Sequence, residues 1–430
     1  MMKILGLWKG TSDSLMKKVY ALALALILFS LTILFMGSMV QFYMELVTLR
    51  PGVVETAGLS PSPAYFGGVI LQRKALHASD VLPLYGSSEM SLLNDYHPAK
   101  LFEGKPTHFV PFLVGHGGSQ DLPHLLNFGA LGNDLKGKKL VVFLSPQWFS
   151  TGGIPQSTFA GNFSPLQTYE TLLNPTLTSQ TKHDIAIRLL DFPKALKDYP
   201  LLAQMIRAYA REPNWKTSAL KVAYWPLAKI DLAGLIIEDA TKTVAHVQKL
   251  SPKLIAKNAL ISSPSPSPSW ESLRTEATHK GAALTTSNAM TLLDTYYYKY
   301  VAPRFQEMRN SDQWAKLYPS QEYHDLDLLM QILRQTGAQP LFIIIPMNGP
   351  WYDYTGIPAS ERKACYERLA TMVQQQGFEL ANFSSHEYEQ YYLQDPWHLA
   401  WRGWVDVDEK LDFFYHEKKV PREEYCREFQ

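Results

Sequence analysis

Two short stretches of the chain carry residue types that can do covalent chemistry. Gly86-Ser87-Ser88-Glu89 follows directly on the apolar run "VLPLY", and Asp395-Pro396-Trp397-His398 lies near the other end of the 430 residues. A serine hydroxyl is a weak nucleophile unless a base takes its proton and donors meet the oxyanion. A carboxylate three residues before a histidine can hold the imidazole in one tautomer and leave its other nitrogen for a serine. Each stretch also has a plain structural reading. Ser87 or Ser88 can cap a helix, with Glu89 complementing the helix dipole. Likewise Asp395 can cap a helix that starts at Pro396, with His398 packed among Trp397, Trp401 and Trp404.

Donors for an oxyanion are available in two further places. The glycines of "GHGGSQD" (115 to 121) permit close backbone approach and can present an N–H, or they form a tight turn. Gln147 in "SPQWF" can add a side-chain amide, or it is a polar residue ending a strand. His116 ranks below His398 as a base because no carboxylate is spaced to orient it.

The elements that must position these residues are legible as short apolar runs: residues 81 to 85, 108 to 114, 139 to 145, 340 to 346 and 378 to 384. Each precedes a turn and then a helix-period segment, the alternation of a parallel sheet with helices on both faces. Ligands of such sheets sit at the carboxyl ends of the strands, where "GSSE", "GHGGSQD", "SPQWF" and "PMNGPWYDYTG" (346 to 356) fall. In "ASERKACYERLATMVQQQG", Ser360 reads as the N-cap and Gly377 as the residue past the end. Helical patterns dominate from about residue 160 to 335, an insertion between the third and fourth strands. Alternating Ser-Pro at 262 to 270 reads as an exposed connector.

Nothing charged occurs between Lys18 and Glu45, a run longer than the roughly 20 apolar residues that cross a bilayer core. The expectation is a cytoplasmic N-terminus (1–18), a transmembrane anchor (19–44), a Pro/Gly-rich linker (45–70) and an extracellular domain (71–430). Lysines at 3, 9, 17 and 18 precede the span and set this orientation. Lys plus Arg (41) nearly balance Asp plus Glu (40), so no electrostatic case for nucleic acid arises. Cys365 and Cys426 could pair in an oxidising space, and neither has a partner at metal-ligand spacing.

The blocks "PLYGSSEM", "HPAKLF", "PFLVGHGGSQ", "LVVFLSPQWF", "PMNGPWYDYTG" and "DPWHLAWRGW", in this order behind one anchor, resemble the DltD family of D-alanyl transfer proteins. That family resembles SGNH-type esterases, which implies an α/β fold, a three-layer sandwich on a central parallel sheet. The resemblance makes Ser88 the nucleophile, with Ser87 in the place of an esterase aspartate, His398 the base and Asp395 its orienting acid. It implies Ser88 N–H, Gly118 and Gln147 as oxyanion donors.

It further implies transfer of D-alanine to lipoteichoic or wall teichoic acid through a D-alanyl-serine ester, without a cofactor or metal. The implied partners are a DltB-like membrane O-acyltransferase and, indirectly, the D-alanyl carrier protein. Because D-alanine keeps its ammonium when esterified, Glu89 is expected to pair with that charge. The rival readings are an anchored esterase or thioesterase, and a non-catalytic module that binds teichoic acid or its carrier.

Overall fold

The computed structural model describes residues 2–48, 50–60, 66–91, 94–105, 107–212, 214–259 and 267–417. Five strands form one parallel sheet in the order β2-β1-β3-β4-β5: β1 (Val81–Tyr85), β2 (Val110–Val114), β3 (Lys139–Leu144), β4 (Gln339–Ile344) and β5 (Glu379–Asn382). The helices that matter below are α1 (Met2–Thr48), α2 (Val53–Gly58), α3 (Ile70–His77) and α4 (Asp121–Leu131). They continue with α5 (Ser179–Leu190), α6 (Trp215–Val247) and α7 (Glu322–Thr336). After β4 come α8 (Gly349–Thr355), α9 (Ala359–Gln375) and α10 (Trp401–His416).

Strand side chains alternate between two apolar layers, as the two-residue period of a strand requires. Tyr85, Val142, Leu144, Phe342 and Ile344 point into one layer with α4, α7 and α9. Leu84, Val141, Phe143, Leu341 and Ile343 point into the other, against Trp404, Val407 and Leu411 of α10. Burial on both faces explains why these strands read as continuous apolar runs. The β3–β4 register, Lys139↔Gln339 to Leu144↔Ile344, brings both strands to the same edge at their carboxyl ends. The architecture is therefore α/β with helices covering a five-stranded parallel sheet, as a three-layer sandwich requires. Helices fill the chain between β3 and β4.

Of the segment expected to be a linker, residues 50–60 and 66–70 pack against the body, while 61–65 lie outside the described residues. Val53, Val54 and Ala57 of α2 are buried in the first apolar layer, and a Cβ on Gly58 would lie 2.5 Å from the Phe112 ring. Pro and Gly marked a tight packing point here, not a flexible stretch. Ser360 is not the cap of α9, which starts from Pro358. Of the Ser-Pro segment, residues 262 to 266 lie outside the described residues, and Ser267 Oγ donates to Asp412 at 2.8 Å. Cys365 is buried and free, while Cys426 lies outside the described residues.

Among the described residues no helix is long and apolar enough to cross a membrane. In α1 the side chains of residues 2 to 15 and of Leu26, Ser30, Ile33, Leu34 and Gln41 lie outside the description. The end of α1 is fastened to the body: Met44 packs with Ile70 and Ala240, and Glu45 pairs with Lys74.

Candidate active site

The turn after β1 is built so tightly that glycine is required on both sides of it. A Cβ on Gly86 would meet Glu89 Oε1 at 2.6 Å, and one on Gly115, whose φ is 152°, would meet the Gly86 carbonyl oxygen at 2.0 Å. Gly86 N donates to the Val114 carbonyl at 3.1 Å, joining the ends of β1 and β2. A short 3-10 turn (Ser88–Met90) follows. At three residues per turn, neighbouring side chains point about 120° apart. Ser88 therefore faces out, while Ser87 and Glu89 are buried.

Ser88 Oγ lies 2.7 Å from His398 Nε2. On the other side of the ring, His398 Nδ1 lies 2.7 Å from Asp395 Oδ2 and 2.9 Å from Oδ1. A carboxylate so placed keeps the proton on Nδ1 and leaves Nε2 to accept from the serine. Burial lowers the His398 pKa, but the hydrogen bond and charge of Asp395, helped by the charge of Glu89, hold it above its ordinary 6.5.

The Asp-Pro-Trp-His segment is an irregular loop rather than the first turn of a helix, and α10 begins only at Trp401. Asp395 Oδ1 accepts from the Trp397 and His398 backbone N–H groups, both at 2.9 Å, closing an Asx-type turn. An antiparallel bridge between Leu393 and Leu399 clamps the base of the loop. Pro396 thus stiffens a loop instead of starting a helix.

Ser88 and His398 open into a cavity of about 610 Å³, whose walls include Gly118, Gln147, Trp148 and Trp397. The Gln147 Oε1 atom is buried with no hydrogen-bond partner. The Gly118 N–H is not directed at the Ser88 hydroxyl; it donates to Ser87 Oγ at 3.1 Å. His116 lines a different, smaller cavity of about 260 Å³, and burial lowers its pKa.

Glu89 departs most from expectation. Its Oε1 accepts from the Ser87 backbone N–H at 2.7 Å, and it is absent from the cavity wall. Burial raises its pKa, with the Ser87 N–H pulling the other way. It is buried and braces the turn from behind. Sequence reasoning also missed two histidines beneath the turn. His97 Nδ1 accepts from Ala99 N at 3.2 Å, so its Nε2 donates to the Glu89 carbonyl at 3.2 Å. His124 Nε2 donates to the Gly86 carbonyl at 2.8 Å. Burial lowers these pKa values to about 3 and about 4, so both rings stay neutral. The dipeptide His97-Pro98, a cap followed by a first-turn proline, was the available signal for one of them.

Fold and site together define an α/β sandwich protein with serine, histidine and aspartate in hydrogen-bond order at the carboxyl edge of a parallel sheet. Comparison with known proteins narrows this class. The family model described as DltD protein matches residues 58–416. A protein named DltD from Bacillus subtilis (strain 168) is 35% identical over 367 residues, covering 85% of this chain and 90% of that one. Staphylococcus aureus has a DltD at 30% identity over 80% of this chain and 83% of its own length. One from Lacticaseibacillus rhamnosus is 28% identical over 85% of each. The chain belongs to the DltD family, which takes part in the D-alanylation of teichoic acids.

Proposed function

We propose that this chain is a membrane-anchored acyltransferase that moves D-alanine onto teichoic acid through a D-alanyl ester of Ser88. The observation that carries this reading is the continuous chain Ser88 Oγ, His398 Nε2, His398 Nδ1, Asp395 at distances of 2.7 Å each. Ser88 Oγ attacks the carbonyl carbon of an activated D-alanyl ester or thioester while His398 Nε2 takes its proton. The imidazolium is stabilised by Asp395, and the oxyanion by the Ser88 N–H and the Gln147 amide. Collapse of the tetrahedral species breaks the bond to the leaving group, which receives the proton from His398. A polymer hydroxyl then attacks the D-alanyl-serine carbonyl, giving its proton to the same nitrogen. Ser88 regains that proton as the product ester departs.

Residues 19–44 supply the anchor in this reading, which rests on the absence of any charged side chain there and on the exposure of Leu22, Leu24, Ile27, Leu28, Phe29, Leu31 and Phe35. With lysines preceding the span, the catalytic domain lies outside the cell. A cytoplasmic carrier then reaches Ser88 only through a membrane partner, the role suited to a DltB-like acyltransferase.

The test is to incubate the full-length protein in detergent with a D-alanyl thioester and map the adduct by mass. A D-alanyl group on Ser88, absent from Ser88→Ala, is expected. An adduct on Ser87, or none, overturns the assignment.

A further inference from the structure

Among the described residues, one carboxylate lines the cavity that holds Ser88 and His398, and it comes from the helical insertion. Asp312 lines the wall together with Leu317, and among the described residues no other Asp or Glu and no Lys or Arg does so. Among the described residues no ion pair or side-chain hydrogen bond engages its carboxylate. The walls around it are largely apolar, from Trp148, Met347 and Ile357 to Trp397. A cationic ligand in this cavity meets no other carboxylate among the described lining residues.

The position of Asp312 is fixed by helix α8, although the insertion contributes the residue. Its backbone N–H donates to the Thr355 carbonyl at 2.7 Å, and Asn310 N donates to the Tyr354 carbonyl at 3.0 Å. Both acceptors close α8, the helix after β4. Gly356, with φ 104°, permits the contact, since its Cβ would sit only 3.1 Å from Gln313 Cα. Tyr352 on the same helix lies between the loop and the triad: its hydroxyl accepts from Trp397 Nε1 at 2.7 Å, next to His398. Burial, then the charges of Asp312 and Asp395, push the Tyr352 pKa up, so both carboxylates are within electrostatic reach of that hydroxyl.

We propose that Asp312 is the specificity-determining residue of this site, pairing with the ammonium of an aminoacyl donor and so selecting D-alanyl over uncharged acyl groups. This rests on the Ser88 acyl-transfer reading and replaces Glu89, which the fold turns away from the cavity.

The experiment compares D-alanyl and propionyl thioesters of one thiol with the full-length protein; the acyl groups differ in the ammonium alone. Wild type should show a higher kcat/KM for the D-alanyl compound. In Asp312→Asn that preference should fall by about 10- to 100-fold, the range of one charged hydrogen bond. A variant that slows both thioesters equally, or a wild type without preference, overturns the proposal. Calorimetry with D-alaninamide and propionamide supplies a readout independent of turnover. Ser88→Ala should stop thiol release from both thioesters and still bind D-alaninamide, whereas Asp312→Asn should lose that binding. Thiol release persisting in Ser88→Ala sinks the acyl-transfer reading alone; D-alaninamide binding unaffected by Asp312→Asn sinks the ammonium assignment alone.

Discussion

Two clusters of buried ionisable groups lie on either side of the strand-end loops, and they differ in what they face. One is Asp395 with His398, open to the large cavity through Ser88. The other joins Asp121 at the start of α4 and Glu322 and Asp325 of α7 to Arg188 of α5. Arg188 forks onto Asp325, Nε to Oδ1 and Nη2 to Oδ2, both at 2.8 Å. Glu322 Oε1 accepts from Ile154 N at 2.8 Å. Burial and the charge of Asp325 raise the Asp121 pKa well above normal. Burial and the charges of Asp325 and Asp121 do the same to Glu322. Perturbed pKa values therefore mark both clusters, yet only one borders a cavity together with a nucleophile. Perturbation locates buried charge, and access to a ligand decides whether that charge does chemistry.

The contrast breaks at its largest if the cluster proposed as catalytic proves dispensable. Ser88→Ala should lower acyl-enzyme formation and thiol release by about 10⁴-fold or more while leaving the thermal transition nearly in place, as read by parallel kinetics and calorimetry. Asp395→Asn should cost about 10⁴-fold by releasing the imidazole tautomer. The converse holds for the second cluster. Arg188→Met strands the buried Asp325 and should lower unfolding free energy by about 3 to 5 kcal/mol in a denaturant titration, with the rate per folded molecule retained.

Smaller effects separate the clusters by their pH response. Attack by Ser88 as proposed needs neutral Nε2, so the rate should rise with pH along a limb whose midpoint lies above 6.5, and Asp395→Asn should move that midpoint down. The stability His398 contributes is fully present below its unfolded pKa and is lost as pH rises through the raised folded value. Glu322, whose pKa burial and the charges of Asp325 and Asp121 raise well above normal, titrates with the same sense of loss. Its raised pKa means the fold binds a proton the unfolded chain has given up, so stability falls as pH climbs from about 4 through the folded value. Glu322→Gln should flatten that fall in thermal melts against pH, the smallest effect of the set, with no shift in the activity limb.

Much of this was readable in advance because it depends on local pattern. Apolar runs bounded by turns predict five strands, and all five form within two residues of expectation; the overreach at 108 to 109 arises because His108, with φ 77°, cannot begin the strand. Ser88, Asp395 and His398 were legible because a strand-end turn and an Asp-x-x-His loop constrain their own geometry. Glu89 was misread because its direction follows from a 3-10 turn and the glycine beside it, not from residue type. Asp312 carried no signal: "NSDQW" is an ordinary polar loop until its backbone joins the end of α8.

The amino-acid sequence by itself determined the sheet, the tight turn at Gly86 and the pairing of Asp395 with His398, since these rest on side-chain period, backbone sterics and contacts three residues apart. The tertiary structure alone decided that Ser88 Oγ meets an imidazole 310 residues away, that Glu89 points inward and that Asp312 reaches the same cavity. Those outcomes depend on how the loops after β1 and β4 and the segment before α10 converge when helices pack on both faces of the sheet. No local preference encodes that convergence, because it is the sum of long-range burial.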